Sequence, residues 1–511
     1  MKREADNYKA ENGDGREVIR RTWSVCPVCF KRIPARQVRQ GNQVFLEKEC
    51  PEHGAFSAVV WRGEDLEEWR KGWPAQAEEP EGCPDNCGLC REHLQQTCCV
   101  LLEVTGRCNL RCPHCFAEGK IDGGGELLEA DPPIETVKAW IDDIVSRGPS
   151  LIQFSGGEPT VREDLPELIA YAKAAGSKYV QLNSNGIRLG EDPDYVKTLA
   201  KAGLDFVFLQ FDGLEDGIYE KLRGRPLTKL KQKAIVHCGE QKIGVTLVPM
   251  VVPGVNEHQT GAIVEYGLAL SPVVRGVHFQ PVSYFGRYET PPADEERITL
   301  PEVLKAIEEQ TEGRVKKEFF AASCCDHPMC GFHGAFLALP EGLRPMTQKR
   351  DCCTPVTAEQ NREFVGRRWK REETPETECC CGEASSAEDS CCCGEASPAG
   401  EPCCCEPAPA AQGECCCGET SPAEDSCCCE PAPAVQEESC CCGAPDPRDI
   451  YTGEASGFDE FLRLVQTYSF TITAMAFQDA YTLDLERLRN CSLHVYREGR
   501  MVPFCSRYLP R

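Results

Sequence analysis

The stretch VLLEVTGRCNLRCPHC, residues 100–115, decides the fold of this chain together with LIQFSGGEP, residues 151–159. Each begins with a short apolar run, which is typical of a buried strand, and ends in a loop with chemically distinctive residues. The same alternation continues along the chain, with apolar runs at 179–182, 206–210, 244–251 and 276–280 and helical patterns at 134–146, 164–175, 194–202 and 227–238. Strands and helices in this order predict parallel βαβ units of the α/β class, and six strands suit a partial (β/α)6 TIM-type barrel.

The loop after the first predicted strand contains three closely spaced cysteines, Cys108, Cys112 and Cys115. Thiolates at C-x3-C-x2-C can ligate three irons of a 4Fe–4S cluster, and the fourth iron then stays open for a small molecule. A closed zinc site needs four protein ligands. His114 could be the fourth, but Pro113 and Cys115 on either side leave it little freedom to reach back. The spacing therefore predicts a catalytic cluster.

A second loop, Gly156-Gly157-Glu158-Pro159, follows the next predicted strand. Glycines at a strand end let the backbone approach a ligand closely, and Glu158 offers a carboxylate to an ammonium group. Taken alone, these four residues could be an ordinary turn. Their position one βα unit after the cysteine loop makes the pattern specific.

These two motifs resemble those of the radical S-adenosylmethionine (SAM) superfamily. The resemblance implies that the open iron binds SAM, which is reductively cleaved to methionine and a 5′-deoxyadenosyl radical that abstracts a substrate hydrogen. It implies that His114 packs beside the adenine, that residues 156–159 receive the methionine amino group, and that Asn183 and Asn185 contact the ribose. Asp212, after the strand at 206–210, could contact SAM or substrate, or simply belong to an Asp-Gly turn.

Two cysteine-bearing pairs near the N-terminus predict a mononuclear metal site. Cys26 and Cys29 form a C-x2-C pair, and Cys50 and His53 form a second pair about twenty residues later. This spacing is typical of a zinc site or a rubredoxin-like iron site. Buried or solvated thiols without a metal are the alternative.

Further cysteines predict auxiliary iron–sulfur clusters. Cys83, Cys87 and Cys90 repeat the C-x3-C-x2-C spacing, but no barrel strand and no Gly-Gly-Glu-Pro accompany them. Cys325, Cys330 and Cys505 are further candidate ligands. Spacing alone leaves open which thiols share a cluster.

Longer stretches narrow the resemblance. The pieces CPVCFKRIPARQV (26–38), CPDNCGLCREH (83–93), LQFDGLEDGIYEKLRG (209–224) and CDHPMC (325–330) are similar to the radical SAM family that includes archaeal tetraether lipid synthase and the pterin-methylating enzymes. A bacterial subgroup of TrsS-type radical SAM (seleno)proteins is also similar. The resemblance implies a transferase that methylates or couples an unactivated carbon. It also implies auxiliary clusters for electron transfer or substrate anchoring.

One segment departs from that family pattern. Residues 372–446 carry eighteen acidic residues, no Lys or Arg, and six Cys-Cys-Cys triplets that begin at residues 379, 391, 403, 415, 427 and 440. With almost no large apolar residue the segment cannot bury a core, so it is predicted to be disordered without metal. It could buffer metal or load clusters, it could be a substrate-like tail, or it could be a tolerated repeat.

Composition limits the partners and the cellular compartment that can be expected for this chain. A net charge of −25 argues against a nucleic-acid surface, and 37 cysteines without an apolar signal segment are better explained as cytoplasmic metal ligands than as disulfides. No apolar run is long enough to span a membrane. The expected partners are a small-molecule, lipid or peptide substrate and an electron donor such as ferredoxin or flavodoxin. A peptide maturase and a thiol-rich metal-storage protein are the competing functions.

The predicted domain organisation has five parts. They are a zinc or rubredoxin-like and auxiliary-cluster module (1–98), the radical SAM core (99–310), an auxiliary cysteine-bearing region (311–371), the triplet segment (372–447) and a C-terminal tail domain (448–511).

Overall fold

The computed structural model describes residues 11–12, 15–63, 66–71, 73, 82–84, 93–116, 130–286, 288, 291–323, 325–339, 342–346, 356–371 and 458–509. Contacts divide the chain into a unit of residues 1–372 with 456–511 and a unit of residues 373–455, and every described residue lies in the first. The predictions for Cys87, Cys90 and the triplet segment fall outside the described residues.

The N-terminal module is an antiparallel sheet in which neighbouring strands follow each other in the chain. Its elements are β1 (Glu11–Asn12), β2 (Arg16–Val25), β3 (Arg32–Gln40), β4 (Gln43–Cys50) and β5 (Gly54–Arg62), followed by the short helix α1 (Leu66–Trp69). Gly41, at φ +60°, lies in the two-residue loop between β3 and β4, where a tight hairpin requires positive φ. The buried Lys48 side chain fixes this module to the rest of the unit, because its Nζ donates to Ser24 Oγ (2.9 Å) and to the carbonyl of Ala480 (2.7 Å).

The central part of the main sheet follows the predicted alternation of strands and helices. Its strands are β6 (Cys99–Thr105), β7 (Leu151–Gly156), β8 (Tyr179–Ser184), β9 (Phe206–Gln210), β10 (Gly244–Val248), β11 (Met250–Val251) and β12 (Val274–Pro281). Its helices are α2 (Ile134–Ser146), α3 (Leu165–Ala174), α4 (Ile187–Glu191), α5 (Pro193–Lys201), α6 (Asp216–Arg223), α7 (Thr228–Glu240), α8 (Thr260–Ala269) and α9 (Leu300–Gln310). Strands β6 to β10 and β12 pair in parallel in chain order, as expected for an α/β fold.

The C-terminal part extends this sheet at both sides. Its elements are β13 (Ala321–Ala322), β14 (Gly331–Leu339), β15 (Gly342–Pro345), α10 (Ala358–Trp369), α11 (Phe458–Tyr468), β16 (Ser469–Met475), α12 (Leu485–Arg489), β17 (Leu493–Arg497), β18 (Arg500–Pro503) and α13 (Phe504–Arg507). Strand β16 pairs in parallel with β12, and β17 pairs in parallel with β6. The tail therefore adds three strands to the main sheet, β16, β17 and β18, and two of them pair in parallel with the six strands that were predicted. The division of the chain into five parts stays a prediction.

The amino-terminal ends of the strands are covered by α10. The Trp369 indole donates to Thr471 Oγ1 (2.9 Å) and packs with Leu151, Tyr179 and Phe206, which are the first residues of β7, β8 and β9. This leaves the carboxyl ends of the parallel strands as the edge where a site can form. Among the described helices, none is both long enough and apolar enough to cross a membrane.

Candidate active site

A cavity of about 1870 Å³ runs along one face of the main sheet. Most of the predicted site residues that follow strand ends contribute to its wall: Cys108, Cys112, His114, Cys115, Gly156, Gly157, Glu158, Asn183 and Asn185. Pro159 and Asp212, which were predicted with them, are buried behind this wall. Parallel strands bring their carboxyl ends to one edge of a sheet, which explains why residues distant in sequence meet here.

The two glycines of the loop after β7 are required by its close approach to the loop after β6. A Cβ atom on Gly156, which has φ +132°, would lie 2.2 Å from the Thr105 carbonyl oxygen, and one on Gly157 would lie 2.1 Å from that of Arg107. The backbone N–H groups of Gly157 and Glu158 donate to these same carbonyls, both at 2.8 Å. The two loops are therefore joined through their backbones, and no side chain fits between them.

Glu158 uses its carboxylate to hold the neighbouring loop. Oε1 accepts from Thr160 Oγ1 (2.7 Å) and from Ser184 Oγ (2.9 Å), while Oε2 accepts from the Asn185 backbone N–H (2.6 Å). Burial raises the pKa of the Glu158 carboxyl above its usual range. The role of Glu158 as a partner for an ammonium group stays a prediction, and the structure adds a positioning role that the sequence did not suggest.

Asn185 connects three segments of the site. Its Nδ2 donates to Asn109 Oδ1 (2.6 Å) in the cysteine loop, and its carbonyl accepts a hydrogen bond from Lys231 Nζ. Lys231 is fully buried on α7 and also donates to Gln210 Oε1 (2.8 Å), and this burial lowers the pKa of Lys231 to about 7. Sequence reasoning missed Asn109 and Lys231. The signal in the sequence that could have pointed to Lys231 was a lysine at a helix position that faces the core.

Asp212 is linked to Lys231 through the Gln210 side chain, and its carboxylate faces Arg223. The Asp212 side chain is 0% exposed and forms a two-point ion pair with the Arg223 guanidinium, which does line the cavity. The predicted contact of Asp212 with SAM or substrate therefore stays a prediction. The inward-facing amides Gln153, Gln210 and Gln280, which sequence reasoning also missed, line the cavity further along the sheet.

The three cysteines of the loop after β6 have the chemistry that a cluster needs. Cys108 is exposed and Cys112 and Cys115 are half-buried, so all three thiols are accessible from the cavity that they line. The Leu110 backbone N–H donates to Cys108 Sγ, with 3.4 Å between nitrogen and sulfur. Backbone N–H groups are typical donors to the sulfur ligands of a cluster. The His114 ring stacks edge-on against Tyr284 at 6.0 Å. Three thiols of one loop, lining a cavity together with the backbone of Gly156 and Gly157, fit a 4Fe–4S cluster with one open iron and a bound small molecule.

The N-terminal module gathers a separate group of metal-binding side chains. The ligand atoms of Cys26, Cys29, Cys50 and His53 all lie within 4.8 Å of one another. Cys50 Sγ lies 3.4 Å from His53 Nδ1 and 3.9 Å from Cys29 Sγ. Within the described ranges, no other group of three or more Cys, His, Asp or Glu side chains is as tightly gathered. Four donors at this spacing suit one tetrahedral ion.

We expect that replacing Cys50 with alanine removes one bound metal ion per chain and loosens the N-terminal sheet, because a tetrahedral site with three remaining donors binds weakly. Metal analysis of the purified protein and limited proteolysis of residues 16–62 would measure both effects. Cys238→Ala is the matched control, since Cys238 is buried in the core and lines neither site. Equal metal content in the two variants would contradict the assignment.

The remaining thiols separate into two groups. Cys98 Sγ lies 3.4 Å from Cys99 Sγ, and Cys98 packs with Cys325 in one buried cluster. The Cys330 carbonyl accepts from the Ala476 backbone N–H (2.8 Å), and Cys505 Sγ accepts from the Gln478 backbone N–H (3.3 Å), so both residues lie beside the segment that follows β16. Cys325 thus lies with Cys98 rather than with Cys330, a division that spacing could not show. Cys83 is buried in the same apolar cluster as Cys505. Metal binding at Cys83, Cys325, Cys330 and Cys505 stays a prediction.

Two family models match this chain. The Radical SAM superfamily matches residues 102–267, and the HMPTM N-terminal zinc ribbon domain matches residues 18–62. The second match covers the N-terminal sheet with its three cysteines and His53. The first covers β6 to α8 with the cysteine loop and the Gly-Gly loop.

Among curated proteins, 7,8-dihydro-6-hydroxymethylpterin dimethyltransferase of Methanocaldococcus jannaschii is 41% identical over 313 residues, 59% of this chain and 60% of that protein. The PqqA peptide cyclase of Bradyrhizobium diazoefficiens is 33% identical over 172 residues, 34% of this chain and 43% of that protein. This chain therefore spans less than two thirds of either relative. Among solved structures, Streptococcus suis SuiB bound to S-adenosylmethionine is similar, with 15% identity, a TM-score of 0.35, and coverage of 43% of this chain and 48% of that one.

Proposed function

We propose, since residues 102–267 of this chain are a radical SAM domain, that the protein is an enzyme that reductively cleaves SAM and methylates or couples an unactivated carbon. The observation that carries the proposal is that the wall of one cavity contains three thiols of one loop beside Gly156 and Gly157. Methylation is favoured by the relative that is named a pterin dimethyltransferase. In the proposed fold, β6 to β10 and β12 form a partial (β/α)6 barrel.

The residues of the site have separate tasks in this proposal. Cys108, Cys112 and Cys115 hold the cluster, and bound there a 4Fe–4S cluster supplies the electron for reductive cleavage of SAM. His114 packs beside the adenine, and the backbone of residues 156–159 receives the methionine amino group. Asn183 and Asn185 contact the ribose, and the hydrogen bonds of Glu158 and Lys231 hold the Asn185 loop in position.

Other parts of the chain support this chemistry in the proposal. The N-terminal module holds one zinc or iron ion at Cys26, Cys29, Cys50 and His53. The thiol groups around Cys325, Cys330 and Cys505, with the Cys83 motif, hold auxiliary iron–sulfur clusters. A small one-electron carrier such as ferredoxin or flavodoxin supplies electrons.

A peptide substrate is the second candidate. The similarity to the PqqA peptide cyclase favours it. The cavity volume of about 1870 Å³ is also larger than a drug-sized ligand needs, which is commonly about 300–1,000 Å³. A peptide maturase would use the same cluster and SAM contacts and differ only in what occupies the rest of the cavity.

The test is anaerobic reconstitution with iron and sulfide, followed by incubation with SAM and dithionite. We expect more than one cluster equivalent per chain and formation of 5′-deoxyadenosine. Adding 7,8-dihydro-6-hydroxymethylpterin together with a methyl donor should then give a product heavier by one or more methyl groups. Label in the methyl group of SAM tests whether a second SAM molecule is that donor, because the SAM that is cleaved keeps its methyl group on methionine. Cleavage of SAM without methylated pterin would leave the enzyme class intact and turn the search toward peptides. Metal binding without any cleavage would refute the proposed function.

A further inference from the structure

Helix α10 turns one of its faces toward the cavity. Side chains three to four residues apart share a helix face, and the α10 residues in the cavity wall follow that spacing: Gln360, Asn361, Phe364, Val365, Arg368 and Trp369. Another face carries Glu363 and Arg367, which pair with each other at 3.5 Å and do not line the cavity. Among the residues of α10, Arg368 is therefore the charged side chain that faces the cavity.

The Arg368 guanidinium is half-buried and stacks on an aromatic ring. Its Cζ lies 3.9 Å from the centre of the Phe364 ring. In the part of the chain that the structure describes, no oxygen accepts a hydrogen bond from this guanidinium and no carboxylate lies at ion-pair distance from it. Burial lowers the pKa of Arg368 below its usual range, and no nearby negative charge offsets that effect. Charged groups that are removed from water are normally paired, so the partner of Arg368 is expected to be a ligand.

The carboxylates that line the same cavity are engaged elsewhere. They belong to Glu68, Glu158, Glu302, Glu308, Glu318 and Asp326. Glu302, for example, lies 3.2 Å from Arg62, and the Asp326 carboxylate accepts from the Ser492 backbone N–H at 2.7 Å. The other four also bond to groups other than Arg368. The described wall of the cavity therefore does not neutralise this arginine.

Other hydrogen-bonding groups lie near Arg368 on three neighbouring strands. The strand register places His278 of β12 beside Thr473 of β16, and Thr473 beside His333 of β14, and all three residues line the cavity. The His333 ring lies 6.0 Å from the Phe364 ring on which Arg368 stacks. The cavity face of α10 therefore packs against this row, and the row supplies imidazole and hydroxyl groups that can share a ligand with the guanidinium.

We propose that Arg368 binds an oxyanion of the substrate, either a phosphate or a carboxylate. The planar fork of an arginine matches both groups with two parallel hydrogen bonds. Because α10 covers the amino-terminal ends of the strands and the cysteine loop follows a carboxyl end, this site holds a part of the substrate remote from the cysteine loop. The inference rests on the proposed function, since it treats the cavity as a substrate site. It adds that the substrate is an anion, whereas 7,8-dihydro-6-hydroxymethylpterin has neither a phosphate nor a carboxylate.

The test is a calorimetric titration of the full chain with inorganic phosphate and, separately, with acetate at constant ionic strength. We expect the wild type to bind at least one of these anions saturably and Arg368→Gln to bind it about tenfold more weakly, because a charge-assisted pair is lost. Arg368→Lys keeps the charge without the fork, so its affinity should be intermediate. Arg367→Gln is the matched control and should bind like the wild type, because the Arg367 side chain is 72% exposed and does not line the cavity. Tighter binding of phosphate would indicate a phosphate ester as substrate, and tighter binding of acetate a carboxylic acid.

Thermal unfolding separates anion binding from a structural role of Arg368. Without added anion, Arg368→Gln should have the Tm of the wild type, and the bound anion should raise the Tm of the wild type but not that of the variant. Equal anion binding by the two proteins, or no saturable binding by the wild type, would overturn the inference. A variant with a lower Tm that the anion raises as much as in the wild type would also overturn it, because Arg368 would then act only in folding. Failure of the proposed function is distinct, since it would appear as absence of SAM cleavage, whereas anion binding needs neither SAM nor a reductant.

Discussion

Alanine at Cys108, Cys112 and Cys115 together should abolish 5′-deoxyadenosine formation from SAM and dithionite. These thiols come from one loop and all line the cavity along the main sheet. A cluster that loses its three ligands cannot bind to a site with no other thiol in that loop. We expect the iron content to fall by one 4Fe–4S equivalent, while the metal at the N-terminal module stays bound. Product analysis by chromatography and iron analysis measure the two effects on the same preparation.

The matched control for this triple variant is Cys238→Ala. Cys238 is a buried thiol on α7 that packs in the hydrophobic core and does not line the cavity. Its loss should cost some stability but leave cleavage unchanged. If the triple variant still formed 5′-deoxyadenosine at the wild-type rate, another set of thiols would have to hold the catalytic cluster. The groups around Cys325 and Cys330 would be the first to test.

The second large effect is expected for Gly157→Ala. The new Cβ would lie 2.1 Å from the Arg107 carbonyl oxygen. That oxygen accepts a hydrogen bond from the Glu158 backbone N–H, so the two backbones are held together at this point. The loop after β7 must therefore move by roughly 1 Å, and misplacement on that scale can cost about a hundredfold in rate. We also expect the free energy of unfolding to fall by about 1–3 kcal/mol, as in other overpacked sites.

Chemical denaturation, SAM binding and SAM cleavage would separate these effects. Gly217→Ala is the control, because a Cβ at Gly217 meets nothing within 4 Å and the residue lies inside α6, where alanine is preferred over glycine. The control should be as stable as the wild type or slightly more stable. Normal SAM binding and cleavage by Gly157→Ala would show that the close contact between the two loops is unimportant for the site.

Features that depend on residues close together in the chain were predicted from the sequence, and features that depend on distant residues were not. Six parallel strands were predicted within a few residues of their observed bounds, because each has a short apolar run flanked by a helix with its own periodicity. The grouping of four Cys and His side chains in the N-terminal module was predicted for a similar reason. Cys26 with Cys29, and Cys50 with His53, each sit on one hairpin turn, and β3 and β4 bring the two turns together.

Other features of the site had no local signature. Strands β16 and β17 join opposite sides of the parallel sheet only because β12 and β6 offer free edges there. Cys325 and Cys330 are five residues apart, but Cys325 packs with Cys98, whereas the Cys330 carbonyl is bonded to the Ala476 backbone N–H.

The sequence by itself determined the α/β class, the cysteine loop with its C-x3-C-x2-C spacing, the Gly-Gly loop one unit later, and the paired Cys and His residues of the N-terminal module. These follow from spacing and periodicity within one or two elements. Only the tertiary structure decided that the tail adds strands to the main sheet, and that Glu158 and Lys231 hold the Asn185 loop. Those contacts join residues far apart in the chain, so no local pattern predicts them, and they form where strand pairing brings buried polar groups together.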